Sequence, residues 1–254
     1  MRSAEDAAAA GAGSPFGSRS FVVSAGVVGL VVVLAIAVTV AGGRSPVGTA
    51  QVPAGAAPGS SPGVVRSASG VVSVPTGGSA CGLRAGSQAV PTSPPAVASW
   101  VLVGSMAVPS SPRTVGPGRS VDGFRECFAH SPTGALFALV NFWAAGTAFG
   151  ASDVYAHLAA DTPSRAQAVR FAAGDHSRLS DSGQVQLAAF EFNSYSPSDA
   201  DISVVLQSSD GNLVTVACTM LWQAGDWRYE IPPSGAPAAG VIQSLDGYVP
   251  WSDA

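Results

Sequence analysis

The sequence predicts an α+β protein in which a single N-terminal transmembrane helix precedes an external domain of about three helices packed on a four-stranded antiparallel sheet. Three observations predict it. Phe21–Val40 is an unbroken uncharged apolar run; helix-starting caps occur at Ser131, Ser152 and Thr162; and alternating apolar residues separated by tight turns occupy 185–231. The order of helices followed by strands, with one apolar sheet face to cover, is that of α+β domains. Composition agrees with an uneven chain. The 254 residues are 47% hydrophobic but only 11% charged, against roughly 25% charged in ordinary globular chains.

From the amino terminus, residues 1–20 carry no repeating apolar face and read as a disordered cytoplasmic tail. Residues 21–41 follow as the span, inside 24 uncharged residues between Arg19 and Arg44. About 20 apolar residues at 1.5 Å each cross a hydrocarbon core of roughly 30 Å. A cleaved signal peptide is the alternative, with Ala35 and Ala37 as small residues for a cleavage site, but its apolar core usually runs only about 7–15 residues. Arg2 and Arg19 precede the span, which favours a cytoplasmic N-terminus and an extracellular C-terminal domain at the cell membrane. Residues 42–80 are rich in Pro, Gly and Ser and read as a linker; a flexible coil of about 40 residues reaches about 35 Å.

The external α+β domain is assigned to 81–254. Its first part, 81–129, is full of turn signals, with short apolar runs at Trp100–Val103 and Met106–Val108, and is expected to wrap over the core. The helices and sheet are assigned to 130–233. Ser131-Pro132 is a cap followed by proline at the first helical position. The run Gly134–Phe149 is apolar on nearly every side and under 18 residues long, which suits a buried core helix. Ser152 and Asp161-Thr162-Pro163 open two shorter helices, the second closed by Gly174. Strands follow at Val185–Ser194 and around Ile202, Val204 and Leu206. The turn Ser209-Asp210-Gly211-Asn212 then leads to Val214, Val216, Cys218, Met220 and Trp222 on one face. Gln223-Ala224-Gly225-Asp226 leads into Trp227, Tyr229 and Ile231, stopped by Pro232 and Pro233. The tail 234–254 carries Val241, Ile242, Leu245, Tyr248 and Trp251, too apolar to stay in water, so it either packs on the domain or anchors a partner.

The hairpin phrase W-x-x-G-D-W at Trp222–Trp227, after helices packed on an antiparallel meander, resembles the cone-shaped cystatin-like superfamily named after nuclear transport factor two, which includes ketosteroid isomerase. The resemblance implies a curved, cone-like sheet. The wider stretch, from Cys81-Gly82-Leu83 through CFAHSPTGAL to SLDGYVPW, resembles uncharacterised membrane-anchored proteins of high-GC actinomycetes that accompany conjugation and mobile-element genes. Anchor, linker and external domain together resemble the single-pass assembly-factor subunit of type IV secretion systems, an analogy of architecture.

All twelve basic residues are arginine. Without lysine there is no phosphate-loop lysine, Schiff-base lysine or Ser-x-x-Lys site. A net charge of −4 argues against a nucleic-acid partner. If the cone holds a ligand pocket, the candidates are Asp153, Tyr155 and His157; Asp153 and His157 lie four apart on one helix face, where a plain surface contact is the simpler reading. His130 and His176 add no zinc spacing. Turn aspartates such as Asp199 and Asp201 lack the regular oxygen spacing of a calcium loop. No cofactor and no metal are expected. Of the three cysteines, Cys81 and Cys127 are the favoured disulfide, closing about 45 residues for roughly 4 kcal/mol in the chain-entropy model; Cys127–Cys218 and no bridge are the alternatives.

These readings lead to the expectation of a non-enzymatic membrane-anchored scaffold or assembly component of a conjugation- or secretion-like complex. Its partners are the membrane and other proteins, with self-association open. The alternative is a small-molecule-binding or catalytic domain tethered outside the membrane.

Overall fold

The computed structural model describes residues 78–174, 177–178 and 183–253. The tail 1–20, the span 21–41 and all but the end of the linker lie outside them, as do His176 and Asp181. Two hairpins come first. Strands β1 (Ser99–Val103) and β2 (Met106–Ser110) pair antiparallel, and β2 is buried along its whole length. Strands β3 (Arg119–Val121) and β4 (Phe124–Glu126) are joined by Asp122-Gly123, both at positive φ, as a two-residue hairpin turn requires.

Helix α1 (Pro132–Ala148) begins where Ser131 accepts the Gly134 N–H at 3.1 Å, with Pro132 in the first turn. Gly134 is required by contact: a Cβ there would collide with the Ala129 carbonyl oxygen. Fourteen of its seventeen residues are buried, so α1 is the centre of the core rather than a helix lying on it. Helix α2 (Ala151–Leu158) is capped by Gly150 without a side-chain bond, so Ser152 lies inside the helix instead of opening it. Helix α3 (Pro163–Phe171) starts at Thr162, whose hydroxyl accepts the Arg165 N–H at 3.2 Å, and buries none of its residues. Arg165 turns back onto α2, donating from Nε to the Tyr155 carbonyl at 3.0 Å and from Nη2 to the Ala156 carbonyl. A cation on the last carbonyls of a helix satisfies orphan acceptors and opposes the negative end of its dipole.

The main sheet contains β5 (Val185–Tyr195), β6 (Asp199–Ser208), β7 (Leu213–Gln223), β8 (Asp226–Glu230), β9 (Ala239–Ile242) and β10 (Val249–Pro250). Its order is β10-β5-β6-β7-β8, and β9 pairs with the other half of the β7 edge. Thus β7 is flanked by β8 along Thr219–Gln223 and by β9 along Leu213–Val216. Two register shifts in β5, at Leu187/Ala189 and Phe192/Ser194, bend that strand.

The expected sheet is therefore corrected in strand number and in the sheets that accompany it. The main sheet has six strands, not four, and two further two-stranded sheets precede the helices. Among the described residues, no helix is long and apolar enough to cross a membrane. The added strands have a common cause: backbone groups at open sheet edges must find partners, and short segments without an alternating pattern supply them. Both extra strands of the main sheet come from the tail 234–254. Segment 243–248 links β9 at the β7 edge to β10 at the β5 edge. The Tyr248 hydroxyl donates to Thr215 Oγ1 at 2.8 Å, on the sheet face opposite the buried Val214 and Val216. Beyond β10, Trp251 turns into the core, 5% exposed, with ring centroids 5.3 Å from Trp100, 5.5 Å from Phe137 and 5.6 Å from Phe190.

Candidate functional site

The three pocket candidates do not converge. Asp153 is exposed on α2, and no hydrogen bond or ion pair joins it to His157 among the described residues. The His157 ring is half-buried and stacked on Phe124, centroids 4.2 Å apart and 9° from parallel. Tyr155 faces the core, where burial pushes its phenol up to about 12. An acid, a base and a phenol pointing in three directions cannot share one substrate atom. Among the described residues, no three His, Cys, Asp or Glu side chains are grouped to hold a metal ion.

The densest polar construction is elsewhere, where the start of the domain meets β4 and β8. Cys81 and Cys127 form a disulfide with Cα atoms 6.1 Å apart, and Cys218 is a separate buried thiol that burial pushes up to about 12. Cys127 has a φ of +69°, a conformation costly for a residue with a Cβ. Asp226 holds it there. Its carboxylate accepts the backbone N–H of Cys127 at 2.8 Å and of Phe128 at 2.9 Å. Burial raises the Asp226 carboxyl, opposed by those two bonds, by Arg228 3.5 Å away and by the Trp227 N–H. Glu126 lies alongside, 3.1 Å from Arg119 and 3.4 Å from Arg228. Arg228 also donates to the His157 carbonyl. The result is an alternating Arg–Glu–Arg–Asp chain in which each carboxylate has a cation, the condition under which buried charge is tolerated. The turn Ala224-Gly225 carries the contact further: the Ala80 N–H donates to the Gly225 carbonyl at 2.7 Å, and a Cβ on Gly225 would come within 3.0 Å of the Ala80 nitrogen.

A second cluster lies around His130. Its Nε2 donates to the Pro197 carbonyl at 2.5 Å, and its ring stacks on Trp222 at 4.1 Å and 11°. Gln88 bridges it to the sheet, donating to the His130 carbonyl at 2.8 Å and accepting from the Tyr195 hydroxyl at 2.7 Å. Burial pushes the Tyr195 phenol up to about 12. Nearby, the half-buried Asp199 accepts from the Ser196 and Ser198 hydroxyls, which hold its carboxyl below the usual carboxylate range. Both clusters tie the segment leading from the linker onto the domain. An open groove of about 440 Å³ runs beside the tail, lined mainly by Leu187, Leu245, Pro250 and Trp251, with Gln207 and Ser252 as polar members.

A match across residues 61–250, which spans both hairpins, the helices and nearly all of the main sheet, decides the relationship. The chain belongs to the family described as "Domain of unknown function (DUF8175)". No curated protein and no solved structure matches it. The DUF8175 region thus includes the end of the sequence-defined linker and the tail strands, and all the polar construction around the disulfide falls inside it. The sequence reading singled out the cysteines but missed Asp226, Glu126 and Arg228, although the Gly225-Asp226 turn was itself visible as a tight connection. It also missed Asp122-Gly123, a direct hairpin signal.

Proposed function

We propose that the DUF8175 domain of this chain is a non-catalytic docking module, displayed outside the cytoplasm and retained at the membrane by its N-terminal apolar segment. The observation that carries this reading is the filled interior. Helix α1 is buried on nearly every side and Trp251 packs on its Phe137, which supports an interior devoted to packing. The disulfide supports placement in an oxidising compartment. A conjugation- or secretion-like membrane complex is the partner set that the sequence resemblance nominates. Crosslinking of the full chain in native membranes, followed by mass spectrometry, tests the reading. The expected result is a recurrent protein partner crosslinked through residues 78–253; repeated recovery of none overturns it.

The groove favours a second reading, capture of a small apolar molecule beside Leu187 and Leu245. Native mass spectrometry of the purified chain separates the two. A bound apolar molecule that is lost on Leu245→Glu substitution, at a half-buried position, supports capture, and its absence removes this reading.

A further inference from the structure

Arg125 differs from every other described arginine. Arg119, Arg165 and Arg228 each face a carboxylate, whereas Arg84, Arg113, Arg170 and Arg178 are exposed. Arg125 is half-buried, and among the described residues no carboxylate pairs with it. Its bonds are to neutral acceptors: Nε donates to Asn141 Oδ1 at 2.8 Å and Nη2 to Ser110 Oγ at 3.0 Å. Both acceptors are buried, Asn141 at 2% exposure and Ser110 at 4%. Asn141 is one of two buried polar side chains on α1, with Thr147, and its amide is bonded at both ends, Nδ2 donating to the Phe137 and Pro109 carbonyls while Oδ1 receives Arg125. A buried amide is costly unless bonded, so an apolar residue would fill this position more simply. Asn141 instead fixes the direction of a guanidinium. Of the five N–H groups of arginine, two are used here, and the described residues claim no others.

We propose that Arg125, oriented by Asn141 and Ser110, is a carboxylate-binding site that receives an acidic group of the docking partner. The identity of the partner rests on the docking reading; the site itself does not. A half-desolvated, immobilised guanidinium meets a carboxylate with little further loss of side-chain entropy, and its planar fork favours two parallel bonds. Burial also lowers the pKa of Arg125, in keeping with a cation that lacks a counter-ion. Arginines placed in this way dominate many protein interfaces.

Because the chain has twelve arginines and no lysine, arginine-selective ¹⁵N labelling of the full chain in mild detergent gives a small set of Nε–H signals, and Arg125→Lys identifies that of Arg125. Acetate is expected to shift this signal saturably, beyond anything sodium chloride does at equal ionic strength. In uniformly ¹⁵N-labelled Arg125→Lys, acetate affinity followed by backbone Ser110 and Asn141 shifts falls about tenfold relative to the wild type labelled in the same way, as expected for loss of the paired bond. A response to inorganic phosphate alone, or equal responses to acetate and chloride, overturns the carboxylate assignment. Should Arg125→Lys fail to fold, triple-resonance correlation to the Arg125 backbone assigns the signal in the wild-type chain, and the comparison of the three salts still decides. An acetate response without a crosslinked partner leaves the site and removes docking; a captured partner with a silent Arg125 does the reverse.

Discussion

At the residue scale, Asp226 concentrates more of the architecture than any other side chain. One carboxylate, 1% exposed by residue, fixes the strained Cys127 backbone, caps the Phe128 N–H and pairs with Arg228. Asp226→Ala removes all three at once, leaves two buried donors without partners and leaves Arg228 only Glu126 and the His157 carbonyl. The expected cost is about 3–5 kcal/mol, the range for breaking a buried pair by deleting one partner. Chemical denaturation of the oxidised protein measures it; a loss below about 1 kcal/mol would show that water replaces the carboxylate without penalty. Its role was not legible in the sequence. Asp226 meets Cys127 and Phe128 from almost a hundred positions away, and no local pattern encodes such a contact. Arg125 and Asn141 are invisible for the same reason. Each belongs to its own element, and only the packing of β4 on α1 brings them together.

At the scale of elements, the sequence is most readable where a local rule governs. Ser131-Pro132 announces α1, Thr162-Pro163 announces α3, and alternation reveals β6, β7 and β8. It is least readable where an element exists only to satisfy an edge. Strand β10 is two residues long and contains a proline, and β9 has no alternating burial, so neither carries a strand signature. What the sequence does carry there is apolar weight, and Trp251 is where that weight is used. Trp251→Ala empties a space bounded by Trp100, Phe137 and Phe190, and should cost about 3–5 kcal/mol. Hydrogen exchange gives a sharper test of the role of the tail. Amides of β9 and β10 should lose protection well before those of β6 and β7. Uniform loss across the sheet would mean that the tail is integral to it rather than a late closure.

At the scale of the whole molecule, the low charge of the chain and its packed aromatic interior make alkaline pH the informative stress. Burial pushes Tyr155 and Tyr195 up to about 12, and Tyr229 higher still, with the neighbouring Cys218, Tyr155 and Glu230 charges adding to the rise. A phenol with a raised pKa is favoured in its neutral form by the fold. Between about pH 10, where unfolded tyrosine ionises, and the folded values, the native state holds more protons than the unfolded state. Stability therefore declines as pH rises through that window. For Tyr155 the two-unit gap corresponds to about 3 kcal/mol lost between pH 10 and 12; the half-exposed Tyr195 contributes less, because solvent screens it. Of the four tyrosines, the buried Tyr155 and Tyr229 should become phenolate only as the fold gives way. Their phenolate absorbance should then rise in one cooperative step, together with the loss of near-ultraviolet circular dichroism. Smooth ionisation of all four near pH 10, with native dichroism retained, would mean that water reaches the interior around Tyr155 and Tyr229. It would equally undercut the filled core on which the docking reading depends.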